Sequence, residues 1–300
     1  MFACTHILAV FDPHTHELQP ALARALTLAK RVDGCKVTLV SCIYDSTFDM
    51  TNILTSEERF DMKQALVLSQ KEKMQKALAQ YPDAEVNIEV VWHKKVHKGL
   101  VNLATEENCD LIIKSCKAHE KIGQKLFTPH DWQLLRESSV NVLMVKDHDW
   151  PDNGKIVAAL SINANDKTHS LLNDKIVATA QALTGALNAE LHLANTFVGA
   201  PIHVSVEVPS FSAEVYNQTL KEKHTELMKA VAKTENIPES NLHIAEGLPE
   251  DIIPEWCSEL DAEMLVLGSV GRSGLSAALL GNTAEHIIDQ LNCDTLVVKP

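Results

Sequence analysis

Aromatic residues are scarce in this chain: Phe, Trp and Tyr together make up 5% of its 300 residues. Val, Ile, Leu and Ala must therefore fill the interior, which suits parallel strands flanked by helices. Long apolar runs are missing too, and none approaches the length that crosses a bilayer, which argues against a membrane partner. The opening MFACTHILAVFD turns polar too soon to be a secretory signal. The seven cysteines (Cys4, Cys35, Cys42, Cys109, Cys116, Cys257 and Cys293) are odd in number and never spaced as CxxC. That spacing argues against a disulfide framework or a structural zinc motif and points to a reducing cytoplasm. No block of Lys and Arg appears. With 27 basic against 40 acidic residues the formal net charge is −13, which argues against a nucleic-acid partner and favours solubility.

What is present is an internal repeat. Each half opens on a short apolar run, HILAVF (6–11) and KIVAAL (155–160). An amphipathic helix and a second strand follow, KVTLVSCIY (36–44) and AELHLANTF (189–197). A long charged helix comes next, with Thr55 and Glu58 as a capping-box signature in the first half and a span of about 213–236 in the second. The remaining strands are EVNIEVVW and NLHIAE, DLIIKS and EMLVLGS, NVLMVK and DTLVVKP. Aligning Leu111 with Leu265 and Val142 with Leu296 gives an offset of 154. Five alternations of strand and helix, made twice, predict two α/β domains with parallel sheets. The boundaries fall at 1–146 and 155–300, joined by the turn-rich linker 147–154.

Glycine is rationed to eleven residues, yet four of them, Gly268, Gly271, Gly274 and Gly281, crowd into fourteen positions. The stretch lies between the fourth strand of the second half and a helix starting near Asn282 or Thr283. Such a loop is a phosphate cradle in outline: backbone N–H groups point inward and the helix dipole favours an anion. Ser269 lies within the loop, Thr283 offers a hydroxyl and Arg272 a charge. Asn282-x-x-Glu285 also reads as a capping box. A P-loop would need Lys-Ser/Thr after its last glycine, and a Rossmann fingerprint would follow the first strand; neither is found. Tight packing alone is the competing explanation of these glycines.

The spacing Gly268-x-x-Gly271, nine residues, then Gly281 resembles the ATP-binding signature of the universal stress protein family, as does the closing AEHIIDQLNCDTLVVKP. VVWHK and FTPHDWQLLR extend the resemblance over essentially the whole chain. It implies five-stranded parallel domains of order 3-2-1-4-5 with helices on both faces, paired through their fifth strands as an intramolecular pseudo-dimer. It also implies ATP or another nucleotide as ligand, and induction under starvation, oxidative stress or DNA damage. A further homodimer is compatible with it. Two positions depart from the pattern. Asn282 stands where the family has Ser or Thr. The acid that nucleotide-binding members carry after their first strand is matched by Asp12 in the first domain but by Ser161 in the second.

In the first domain the 154 offset puts Lys114, Lys117, Phe127, Thr128 and Pro129 opposite Gly268, Gly271, Gly281, Asn282 and Thr283. Side chains then stand where backbone would meet phosphate, so this domain is expected not to bind ATP in the family's mode. His14, His16 and His119, and the pair His93 and His97, form no recognised ligand motif, and no metal site is expected. Two loops leave the ligand edge. One is 198–211, where Ile202, Val204, Val206 and Val208 alternate with polar residues; the other is 45–54, with Phe48, Met50 and Ile53. They read as packed flaps or an interdomain contact, or as an apolar lid over a nucleotide-linked amphiphile.

No nucleophile elbow, catalytic triad or metal-hydrolase motif is present, so the most the site supports is a slow ATPase. Three functions fit: a nucleotide-responsive stress protein, an interaction module with a vestigial cradle, or a hydrolase or ligase of the broader superfamily. The third lacks its expected motifs after the first strand.

Overall fold

The computed structural model describes residues 4–13, 19–47, 54–116, 127–162, 167–200, 211–269 and 280–300, with residues 167–169 described in backbone only. Lys117, Gly271, Arg272 and Gly274 lie outside the described residues, as do His14, His16, His119, Phe48, Met50, Ile53 and the alternating stretch 202–208.

The chain forms two compact units, one ending at His148 and one running from Asp149 to Pro300. The first is built from β1 (His6–Val10), α1 (Pro20–Ala29), β2 (Lys36–Ile43), α2 (Ser56–Leu78), β3 (Val86–Trp92), α3 (Val96–Glu106), β4 (Leu111–Ser115), α4 (Pro129–Glu137) and β5 (Asn141–Val145). Its sheet has the order β3-β2-β1-β4-β5, and its ladders are parallel. The second unit repeats this with β6 (Lys155–Ala159), α5 (Lys167–Leu187), β7 (Glu190–Phe197), α6 (Ala213–Glu235), β8 (Leu242–Glu246), α7 (Pro249–Glu259), β9 (Met264–Gly268), α8 (Asn282–Gln290) and β10 (Asp294–Val298). Its order is β8-β7-β6-β9-β10, again parallel.

The scarcity of aromatics shows in the core. Ile7, Leu8, Leu39, Ile112 and Ile113 are fully excluded from solvent in the first unit, and Val157, Leu193, Leu265 and Val266 in the second. Central parallel strands covered by helices need such continuous aliphatic runs. Local chemistry sets the helix ends. Thr55 caps α2, accepting from the Glu58 N–H at 3.2 Å while the Glu58 carboxylate accepts from the Thr55 N–H at 2.8 Å. The turns entering β4 and β9 pass through Asn108 and Asp261, both left-handed with φ 53° and 51°. Residues with short polar side chains tolerate that conformation best after glycine.

The ladders correct the repeat offset. Ile7 stands opposite Leu111, and its equivalent Ile156 stands opposite Met264. Leu111 therefore answers to Met264, an offset of 153, and α4 with α8 and β5 with β10 keep the same spacing. The sequence alignment of Leu111 with Leu265 was one residue out. Strand side chains alternate between faces, so a one-residue slip replaces every side chain offered to the site. Gly268 answers to Ser115 rather than Lys114, Gly281 to Thr128 rather than Phe127, and Asn282 to Pro129.

Candidate functional site

In the second unit β6 pairs with β7 on one side and β9 on the other, so the chain leaves their carboxyl ends in opposite directions. Ligands of open α/β sheets bind at that crevice. A cavity of about 370 Å³ opens there. One wall is apolar: Ala159 at the end of β6 and Leu160 after it, Leu172 and Ile176 from α5, Leu267 from β9, and Ile287 from α8. Ser161, Asn173, Thr196 and Thr283 supply polar groups, and Gly268 and Gly281 complete the rim.

The two glycines do different work. A Cβ on Gly268 would lie 2.5 Å from Leu172 Cδ2 and 2.8 Å from its Cγ, so the missing side chain lets α5 close onto the end of β9. A Cβ on Gly281 would meet nothing within 4 Å among the described residues. Gly281 is the N-cap of α8, with φ −72° and ψ 151°, and its carbonyl accepts from the Glu285 N–H at 3.1 Å. Asn282 is the first helical residue, so the expected Asn282–Glu285 capping box is corrected: the cap is a glycine and supplies no side-chain oxygen. The first N–H groups of a helix have no intrahelical acceptor. Here they lie beside Thr283 at the cavity rim, where the helix dipole favours an anion.

Ser269 is fully buried and is bound into the sheet, its N–H donating to the Val298 carbonyl at 3.0 Å. Ser161 is exposed at the mouth. Its backbone is clipped by the Asn173 amide: the Ser161 N–H donates to Oδ1 at 3.2 Å, and Nδ2 donates to the Ser161 carbonyl at 2.9 Å. The first unit pins Asp12 in the same way through Gln19, with both hydrogen bonds at 2.9 Å. Sequence reasoning missed Asn173 and Gln19. They belong to no motif and are joined to their partners only by the fold.

The matching place in the first unit is filled from within. Thr128 caps α4: its hydroxyl donates to Asp131 Oδ2 at 2.8 Å, and the Asp131 N–H returns to Thr128 Oγ1 at 3.3 Å. Lys114 reaches the other oxygen of Asp131, Nζ to Oδ1 at 2.7 Å, and that carboxylate is only 1% exposed. The helix N-terminus thus already holds an anion of its own, neutralised by a lysine. Phe127 is buried against Trp132, ring centroids 4.9 Å apart.

Of the histidines singled out in the sequence, the described ones have partners within the fold. His93 Nδ1 is 2.8 Å from the Lys95 carbonyl, which only accepts, so Nδ1 donates to it. His97 is buried and stacks on His130, centroids 6.1 Å apart. Burial holds His97 below its ordinary pKa against the opposing pull of Glu137.

A five-stranded parallel domain made twice, with a cleft at the reversal of strand order, is the architecture of one class, and the chain belongs to the universal stress protein family. The family's profile matches residues 4–146 and 167–299. Among its members the chain is similar to universal stress protein E of Photorhabdus laumondii, 40% identical over 299 residues and covering 98% of this chain and 95% of that one. It is 38% identical over 298 residues to universal stress protein E of Escherichia coli K12, with 98% and 94% covered. A solved structure described as a putative universal stress protein from Pseudomonas aeruginosa UCBPP-PA14 superposes with a TM-score of 0.73 at 29% identity, covering 99% of this chain and 94% of that one. Among the described residues no helix is long and apolar enough to cross a membrane.

Proposed function

We propose that this chain is a nucleotide-responsive stress protein whose second unit takes a phosphate-bearing ligand, ATP or another nucleotide. The observation that carries the reading is the cavity of about 370 Å³ at the carboxyl ends of β6 and β9, apolar on one side and closed by the N-terminus of α8 on the other. A base stacks on the apolar wall. Phosphates lie toward Gly281 and Thr283, with Gly271, Arg272 and Gly274 of the loop in the same role. Family membership supports a part in bacterial stress tolerance, including DNA damage and oxidative stress. The ligand acts by biasing conformation or partner choice in the cytoplasm. The proposed domain limits are 1–146 and 155–300, with Asp12, Lys114, Lys117 and Thr128 marking a first-domain site that no longer takes nucleotide. Binding rather than turnover is the activity proposed.

Gly281→Asp tests the site cleanly. Aspartate is a better N-cap than glycine and has room there, yet it places a negative charge where phosphate would lie. ATP binding, measured by calorimetry on the full chain, is expected to weaken about a hundredfold, because like-charge juxtaposition costs several kcal/mol. The thermal midpoint should hold or rise. Unchanged binding would place the nucleotide elsewhere, and no binding by the parent chain would favour the interaction module. The apolar wall also favours a second reading, carriage of a nucleotide-linked amphiphile. Mass spectrometry of the solvent-extracted protein decides it: an acyl-bearing nucleotide supports the second reading, and adenine nucleotide alone supports the first.

A further inference from the structure

At the amino ends of β1 and β4 in the first unit, three side chains of different chemistry converge. His6 opens β1, Glu107 is the residue after α3, and Cys109 precedes β4. One ligand atom from each, an imidazole nitrogen, a carboxylate oxygen and the thiol sulfur, lie within 4.8 Å of one another. His6 Nε2 and Glu107 Oε2 are 3.5 Å apart. Two ligands of one tetrahedral zinc, with bonds of about 2.0–2.2 Å, sit about 3.4 Å apart. Between Glu107 and Cys109 the chain turns through Asn108, left-handed with φ 53°.

The hydrogen bonds prepare the imidazole. His6 Nδ1 is 3.1 Å from the Glu107 carbonyl, which only accepts, so Nδ1 carries the proton and Nε2 presents its lone pair. Nε2 lies 2.9 Å from Thr38 Oγ1, which lies 3.1 Å from Glu107 Oε2. One hydroxyl proton cannot serve both acceptors, so with a neutral imidazole either Nε2 or the Glu107 carboxylate is left without a donor, a place that a metal cation fills. The second unit is an internal control. There Lys155 replaces His6 and donates from Nζ to the Leu260 carbonyl at 3.0 Å, at the end of α7. Leu260 and Ala262 replace Glu107 and Cys109.

We propose that His6, Glu107 and Cys109 form a zinc site in the first unit, with Thr38 orienting the carboxylate and a water completing the tetrahedron. A mixed nitrogen, oxygen and sulfur set suits zinc, whereas magnesium and calcium want oxygen alone. Glu107 keeps 28% of its side chain exposed, which gives the ion a way in. No spacing motif announces the site, because His6 stands 101 positions before Glu107 and still further before Cys109.

Cobalt(II) is the probe, titrated into the reduced full-length chain, with thiolate-to-cobalt charge-transfer absorption as readout. One equivalent should raise the band and zinc should bleach it. Cys109→Ser should abolish it, and the double variant Cys4→Ser, Cys35→Ser should retain it. Glu107→Gln, at a partly exposed position that leaves the fold intact, should keep the band but weaken the metal. Thr38→Val, which spares all three ligands, should weaken it about 10–100-fold. Circular dichroism of each variant separates loss of metal from loss of fold. Absence of the band in the parent chain, or its survival in folded Cys109→Ser, overturns the site.

Discussion

Gly268 and Gly281 look interchangeable as letters in one glycine-rich stretch, yet their surroundings assign them opposite jobs. At Gly268 the neighbour is Leu172, whose Cδ2 lies 2.5 Å from where a Cβ would go. Gly268→Ala is therefore expected to destabilise the fold by about 1–3 kcal/mol, as overpacking does. Urea denaturation reads this as a lower midpoint, and adding Leu172→Ala to the same chain should make the alanine at 268 nearly neutral. At Gly281 a Cβ meets no described residue within 4 Å, so a side chain there is expected to change ligand binding instead of stability. The packing explanation of this stretch holds at Gly268, and the ligand explanation is the proposal for Gly281. Lys114 illustrates the same point. The sequence marked it as an obstacle in the first-domain site, but only the fold shows it paired with Asp131 in the first turn of α4.

Strands β7 and β8 carry a charge-sensitive contact of their own. His192 Nδ1 lies 3.0 Å from His243 Nε2, and Glu190 Oε2 is 3.7 Å from His192 Nε2. Burial is the main cause holding both histidines below the ordinary value of 6.5; Glu190 opposes it at His192, while His192 itself adds to it at His243. The folded chain thus keeps both neutral where the unfolded chain would already bind protons. Stability from this pair is complete above about pH 6.5 and is lost as the pH falls below it. The thermal midpoint should drop between about pH 7 and pH 5, and His243→Gln should flatten that slope. An unchanged slope would show that the strain of protonation is relieved elsewhere. Helix ends were partly legible at this scale. Thr55 and Glu58 match a known box three residues apart. The cap at Thr128 uses Asp131 in place of Glu and was not recognised, and the box expected from Asn282 was displaced by a glycine cap.

For the whole molecule, duplication followed by divergence predicts asymmetric function. The first unit holds its own carboxylate at the N-terminus of α4, whereas the second leaves a cavity at the N-terminus of α8. Native mass spectrometry of the chain with ATP should accordingly show one nucleotide per chain. Two bound nucleotides would mean that the Lys114–Asp131 pair opens to admit a ligand.

The sequence by itself determined the class of fold, the strands and helices, and the repeat, because aliphatic periodicity and turn residues are local properties that any one stretch displays. It also located the second-domain cleft through Gly268 and Gly281. Only the tertiary structure decided the register of that repeat, since an offset of 154 and one of 153 align apolar strands almost equally well and hydrogen-bonded ladders alone distinguish them. It likewise showed that Gly268 packs against Leu172 while a Cβ at Gly281 meets no described residue, and it brought His6 to Glu107 and Cys109. Those outcomes depend on distances between residues remote in the chain, and a linear pattern carries no such distances.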